Sequence, residues 1–97
     1  MVQFVEKSGR LVCVFGGRMD TVTSTEMEDE VCKQAQGTTL PVAFDLEGVD
    51  YVTSMFLRVC MRVVKDVGKE RFSIIHVHPA VKKVFKIAGF DREMNIE

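Results

Sequence analysis

FDLEGVDYVTSMFLRV, residues 44–59, joins two kinds of pattern, and its reading decides the fold. Its front end closes the apolar run PVAFDL (41–46), which lies between Pro41 and the Glu47-Gly48 pair. A short unbroken apolar run between turn signals suits a buried central strand. Its back end opens a helix over Ser54 to Val67. There Leu57, Cys60, Met61 and Val64 form one stripe, and Phe56, Val59, Val63 and Val67 widen it. Arg58, Arg62, Lys65 and Asp66 lie opposite, and Gly68 ends the helix. A strand feeding a helix in this way is the first part of a strand–helix–strand unit.

The flanks repeat the theme. VQFVEK (2–7) and LVCVFGG (11–17) surround Ser8-Gly9-Arg10 and read as a hairpin. The next helix is predicted to open with a capping box from Thr23 to Glu26, and Val22 and Met27 sit where a hydrophobic staple would be. Met27, Val31 and Ala35 follow at helical spacing. Glu26, Glu28, Asp29 and Glu30 crowd the first turns, where the helix dipole favours acids, and Gly37 stops the helix. Downstream, FSIIHV (72–77) is a strand. Pro79 opens a third helix at a position where its missing N–H costs nothing. Val81, Val84, Phe85 and Ala88 form its apolar stripe, and Lys82, Lys83 and Lys86 face water. Gly89 stops it, with Phe90 folding back, and EMNIE supplies a last short strand.

The order is β-β-α-β-α-β-α-β, an α/β domain. Crossovers of this length imply parallel neighbours with right-handed connections, and one sheet with helices packed alongside is the economical solution. In such sheets, sites gather at strand carboxyl ends and helix N-termini. That places Asp20–Thr23 and Asp50–Phe56 on one edge.

The 97 residues fit a single domain over 1–97, with 46% hydrophobic and 28% charged residues. A net charge of −1 leaves no basic surplus for a nucleic-acid binder that relies on bulk charge. No signal-peptide layout and no run of membrane-spanning length is present, so the expected location is the cytoplasm, without membrane insertion. Cys13, Cys32 and Cys60 are odd in number, lack C-x-x-C spacing and sit in apolar runs. They read as small core residues in a reducing compartment.

Few motifs carry chemistry. His76 and His78 form an H-x-H pair on one face of a strand end, but no third ligand is apparent, so no metal is expected. Gly16-Gly17 is not a nucleotide fingerprint. Asp45 and Asp50 could form a polar cluster near Ser54, but they read better as the finish of a strand and a turn. No catalytic set can be placed and no cofactor is called for, so the chain reads as a non-enzyme. Thr53 and Ser54 remain. Either hydroxyl could cap the helix, worth about 1 kcal/mol. Ser54 could instead carry a phosphate, which unpaired N–H groups and the dipole would welcome. Spacing alone favours the cap. Met55 and Phe56 read as core or, if exposed, as a small apolar patch.

The same opening stretch resembles the signature of the STAS domain family, the bacterial anti-sigma-factor antagonists and their relatives, roughly D-L-S-x-V-x-[FY]-[IVM]-D-S-S-G-L. Asp45-Leu46, Val49 and Tyr51-Val52 match its opening and apolar positions. Ser54 falls on the serine presented to the partner kinase, and Leu57 on the leucine. Gly17-Arg18-Met19-Asp20 is similar to the family's G-x-[LM]-D, and HVHPAVKKVFKIAGFDREMNI (76–96) resembles its ending. Thr53 stands where the family often has Asp. Met55 and Phe56 replace Ser-Gly and are expected to add bulk beside the acceptor.

The resemblance implies a mixed sheet of about four or five strands with helices alongside. It also implies a partner-switching regulator that binds an anti-sigma factor with serine-kinase activity and is released on phosphorylation at Ser54, with Thr53 as a less favoured acceptor. Contacts are expected from Asp20, Thr21, Thr23, Asp50, Thr53, Met55, Phe56 and Arg58. A rival implication is a structural subunit docking on the ATPase of a lipid-transport ABC complex, with no phosphorylation cycle. Small-molecule sensing at the strand ends ranks last, because no residue demands it.

Overall fold

The computed structural model describes residues 2–97. β1 (Val2–Lys7) and β2 (Arg10–Met19) form an antiparallel hairpin. Ser8 and Gly9 turn it with φ of 56° and 75°, the left-handed pair that a tight two-residue hairpin needs. Then come α1 (Thr21–Gln36), β3 (Val42–Val52), α2 (Ser54–Val67), β4 (Phe72–Ile75), α3 (Pro79–Ile87) and β5 (Asn95–Ile96). The element order is the one predicted, including the tail strand. The sheet runs β1-β2-β3-β4-β5, and every pair after the hairpin is parallel.

Each parallel step moves one strand across in the same direction, with a helix as the crossover. Right-handed connections then put all three helices on one face. The core agrees. Leu11, Cys13, Phe15, Val42, Phe44, Leu46, Phe72 and Ile74 face inward with Val31, Phe56, Val63, Val81 and Phe85 from the helices. The alternate strand residues Val12, Ala43 and Ile75 form a separate apolar cluster drawn from strands alone. Four phenylalanines tie the layers together. Phe15 stacks edge-on against Phe44 at 4.8 Å and Phe56 at 5.3 Å, and Phe44 meets Phe72 at 4.9 Å. Cys13, Cys32 and Cys60 are free and buried, as expected of small core residues.

The boundaries differ from the sequence reading in instructive ways. α1 begins at Thr21, so the Thr23–Glu26 box is not its start. Asp20 is the cap, its carboxylate accepting the Thr23 N–H at 2.9 Å. The acids therefore fall beyond the first turn. Val22 is 67% exposed while Met27 is buried, so they form no staple. β3 continues six residues past Leu46, because Glu47-Gly48 is an irregularity inside the strand and not its end. Two register shifts against β2 let β3 absorb extra residues and return Val49 and Val52 to the core face. β4 stops at Ile75, two residues short of the expected end, since His76 adopts φ 56°. Val84 of α3 and Ala88 at its end are exposed, and Val81 and Phe85 alone anchor the helix.

Candidate partner-binding site

β2 and β3 remain paired to their last residues, Met19 and Val52. The next residue in each chain segment starts a helix. Asp20 caps α1 and Thr53 holds the cap position of α2. The N–H of Thr53 donates to the Met19 carbonyl at 3.1 Å, and its hydroxyl donates to the same oxygen at 3.3 Å. The sheet register therefore sets two helix N-termini side by side on the carboxyl edge. Their unpaired N–H groups and aligned dipoles make this edge favourable to negative charge.

The two starts are finished differently. Asp20 closes α1 with its own side chain. The N–H of Thr23 holds the Asp20 carboxyl below its ordinary value of 3.8, and the Thr23 hydroxyl and the Arg18 charge act in the same direction. Thr53 has committed its hydroxyl to β2 and makes no side-chain cap bond to α2. Ser54 follows as the first helical residue and is exposed. Of the two readings of this hydroxyl pair, the cap position belongs to Thr53, and Ser54 stands free of that duty.

Of the residues expected at the contact surface, Thr21, Asp50 and Arg58 are exposed, and Asp20, Thr23, Thr53 and Met55 are half-buried. Phe56 is 0% exposed and packs on Phe15, so it cannot touch a partner and leaves the set. The bulk expected beside Ser54 is thus half removed, since Phe56 points into the core. Asp45 does not join Asp50 in a cluster at Ser54. It accepts the Glu47 N–H at 3.0 Å and pairs with His76 at 3.1 Å.

The sequence reading missed three residues on this edge. The Arg18 guanidinium stacks over the Tyr51 ring, 4.0 Å from its centroid, and Tyr51 is 39% exposed. Val22 projects from the first turn of α1. Arg18 and Tyr51 are neighbours only through the second register shift of β3, which no periodicity announces. Val22 suits a staple only if the helix starts later than it does.

The STAS domain family model matches residues 1–97. The chain belongs to the STAS domain family. A Bordetella bronchiseptica protein named as an anti-sigma factor antagonist, BtrV, is 29% identical over 84 residues, 84% of this chain and 72% of that one. An anti-sigma-factor antagonist STAS domain protein from Planctomyces limnophilus has the same fold, with a TM-score of 0.88 and 21% identity over 98% of this chain and 87% of that one. The Bacillus cell fate determinant SpoIIAA in its phosphorylated form superposes with a TM-score of 0.72 and 13% identity, over 100% of this chain and 91% of that one. The STAS architecture is thus a five-stranded mixed sheet with three helices here, as the resemblance implied.

Proposed function

We propose that this STAS domain is an anti-sigma-factor antagonist. It binds an anti-sigma factor that is also a serine kinase and is released when Ser54 is phosphorylated. The observation that carries the reading is the position of Ser54. It is exposed at the first position of α2, beside a second helix N-terminus, with the cap position occupied by the preceding threonine. Family membership and the name of the Bordetella relative support the regulatory role.

The chemistry follows from that position. The Ser54 oxygen forms the new bond to the γ-phosphorus of ATP, ADP leaves, and the hydroxyl proton passes to a base on the kinase. The product carries about −1.5 to −2 charge next to unpaired N–H groups, so α2 tolerates it. A partner surface closed over Ser54 does not if no cation meets the added charge, because its desolvation then goes uncompensated. Thr21, Asp50, Met55 and Arg58 would form the contact around it, with the half-buried Asp20, Thr23 and Thr53 behind them.

Incubation with the cognate kinase and ATP, followed by mass-spectrometric mapping, tests the switch. Phosphate is expected on Ser54 and absent from Ser54→Ala. Label on neither Ser54 nor Thr53 would remove the switch. Affinity capture tests the partner, and recovery of an ABC transporter ATPase in place of a sigma-pathway kinase would replace this reading with the structural-subunit one.

A further inference from the structure

A second group of side chains gathers at the end of β4, where Asp45 lies seven residues back along β3 from Val52 and the paired starts of α1 and α2. β3 and β4 are in register to Asp45 and Ile75. Beyond Ile75 the strand stops, and His76 takes φ 56°, a left-handed conformation in which His is enriched among non-glycine residues. The strand alternation ends there, so it no longer dictates where the imidazole goes. It turns to Asp45, with His76 Nδ1 3.1 Å from Asp45 Oδ1, and stands 3.9 Å from Glu47 Oε1. Asp45 and Glu47 are two apart along β3. His78 adds a strut, its Nε2 donating to the Glu47 carbonyl at 2.6 Å. In sequence the histidine pair lacks a third ligand. The fold brings two carboxylates to His76.

We propose that Asp45, Glu47 and His76 bind a divalent first-row transition-metal ion, zinc foremost, in a site separate from the partner edge. One donor atom from each residue lies within 4.8 Å of the others. Zinc bonds of roughly 2.0–2.2 Å to nitrogen and carboxylate oxygen require donors a little closer than that. The Glu47 side chain is 78% exposed and can swing in, while Asp45, at 16%, is held in place. One imidazole with two carboxylates favours zinc, copper or nickel over magnesium or calcium, which prefer oxygen alone. The exposed side would leave the remaining coordination positions to water. Competition from thiols is small, since Cys13, Cys32 and Cys60 are all buried. The simpler account of the same geometry is a surface hydrogen bond between His76 and Asp45, and the two accounts differ in a measurable way.

Calorimetric titration of the intact chain with zinc chloride, against a magnesium control, separates them. One zinc per chain is expected, with no heat from magnesium and full reversal by a chelator. Changing the ligands His76→Ala, Asp45→Asn or Glu47→Gln should each weaken zinc about tenfold or more, as even outer-shell changes do at many metal sites. Far-UV dichroism of the same variants confirms that the fold persists, and Glu47→Gln, at the most exposed position, guards against misfolding. Histidine side-chain NMR should show zinc shifting the His76 ring. No saturable zinc binding by the unaltered chain, or binding that all three substitutions leave unchanged, would overturn the site.

Discussion

Two adjacent helix starts use hydrogen-bonding side chains for different ends. Asp20 spends its carboxylate on the Thr23 N–H, and Thr53 spends its hydroxyl on the neighbouring strand. The Asp20 carboxyl is held below its ordinary value, so it favours the folded state when ionised. Its contribution is therefore complete above the ordinary carboxylate range and fades as pH falls through the lowered folded value. Asp20→Ala should lower the melting temperature at neutral pH. Asp20→Asn should keep most of the cap and lose the acid-dependent part. Thermal melts of the unaltered protein and both variants from neutral to acid pH check this. A gap between the unaltered protein and the Asp20→Asn variant that did not change with pH would contradict it. Phe56 is the other decisive residue. It was legible as an apolar position, but not as the ring that joins Phe15 and Phe44. Phe56→Ala should cost about 3–5 kcal/mol in urea unfolding. A loss below about 1 kcal/mol would mean that α2 does not rest on this ring.

At the scale of elements, the sequence pattern recovers every α-helix and strand among the described residues but misjudges where several of them begin or end. The common cause is local chemistry serving a tertiary purpose. Glu47-Gly48 looks like a turn, yet in the sheet it opens an irregular segment that carries β3 on to Val52. Asp20 looks like a loop residue because the Thr23–Glu26 spacing offers a more familiar cap. His76 continues an apolar run, and only its backbone shows that the strand has ended. The Gly48 position has a further requirement that sequence does not display. A Cβ there would lie 3.3 Å from the Phe15 carbonyl oxygen and 3.6 Å from the Gly16 Cα, both backbone atoms of β2. Gly48→Ala should therefore force β2 and β3 apart locally and cost about 1–3 kcal/mol, as overpacking does. Urea denaturation measures it, and an unchanged midpoint would show that the bulge absorbs the methyl group.

The whole molecule places its chemistry by register. Met19 and Val52 are far apart in sequence, and their pairing makes one edge out of two helix starts. The general position of that edge was legible, because parallel sheets collect sites at strand carboxyl ends. The Arg18–Tyr51 stack and the grouping of Asp45, Glu47 and His76 were not, because each depends on a register or backbone turn fixed only by the folded sheet. The thiols report on the same core. Burial pushes Cys13 up to about 12 and raises Cys32 and Cys60, so thiolate is scarce in the folded protein near neutral pH. A thiol reagent should label the native chain slowly and all three sites after denaturation, and fast native labelling of any one would reveal an open core.

For the molecule as a whole, stability and partner binding should come apart at Ser54. The residue is exposed and is not the cap, so Ser54→Ala should leave the melting temperature nearly unchanged. Ser54→Asp places an acid in the first turn of α2, where negative charge stabilises by about 0.3–1 kcal/mol. The same charge at the centre of a closed contact should weaken binding about a hundredfold, roughly 3 kcal/mol, because desolvating a charge that gains no new partner is costly. Thermal melts and calorimetry against the proposed anti-sigma partner read the two quantities separately. Weaker binding with an equal or higher melting temperature is the signature of a switch. Weaker binding that tracks a falling melting temperature would mean that the substitution merely damages the fold, and Ser54 would lose its claim to regulate.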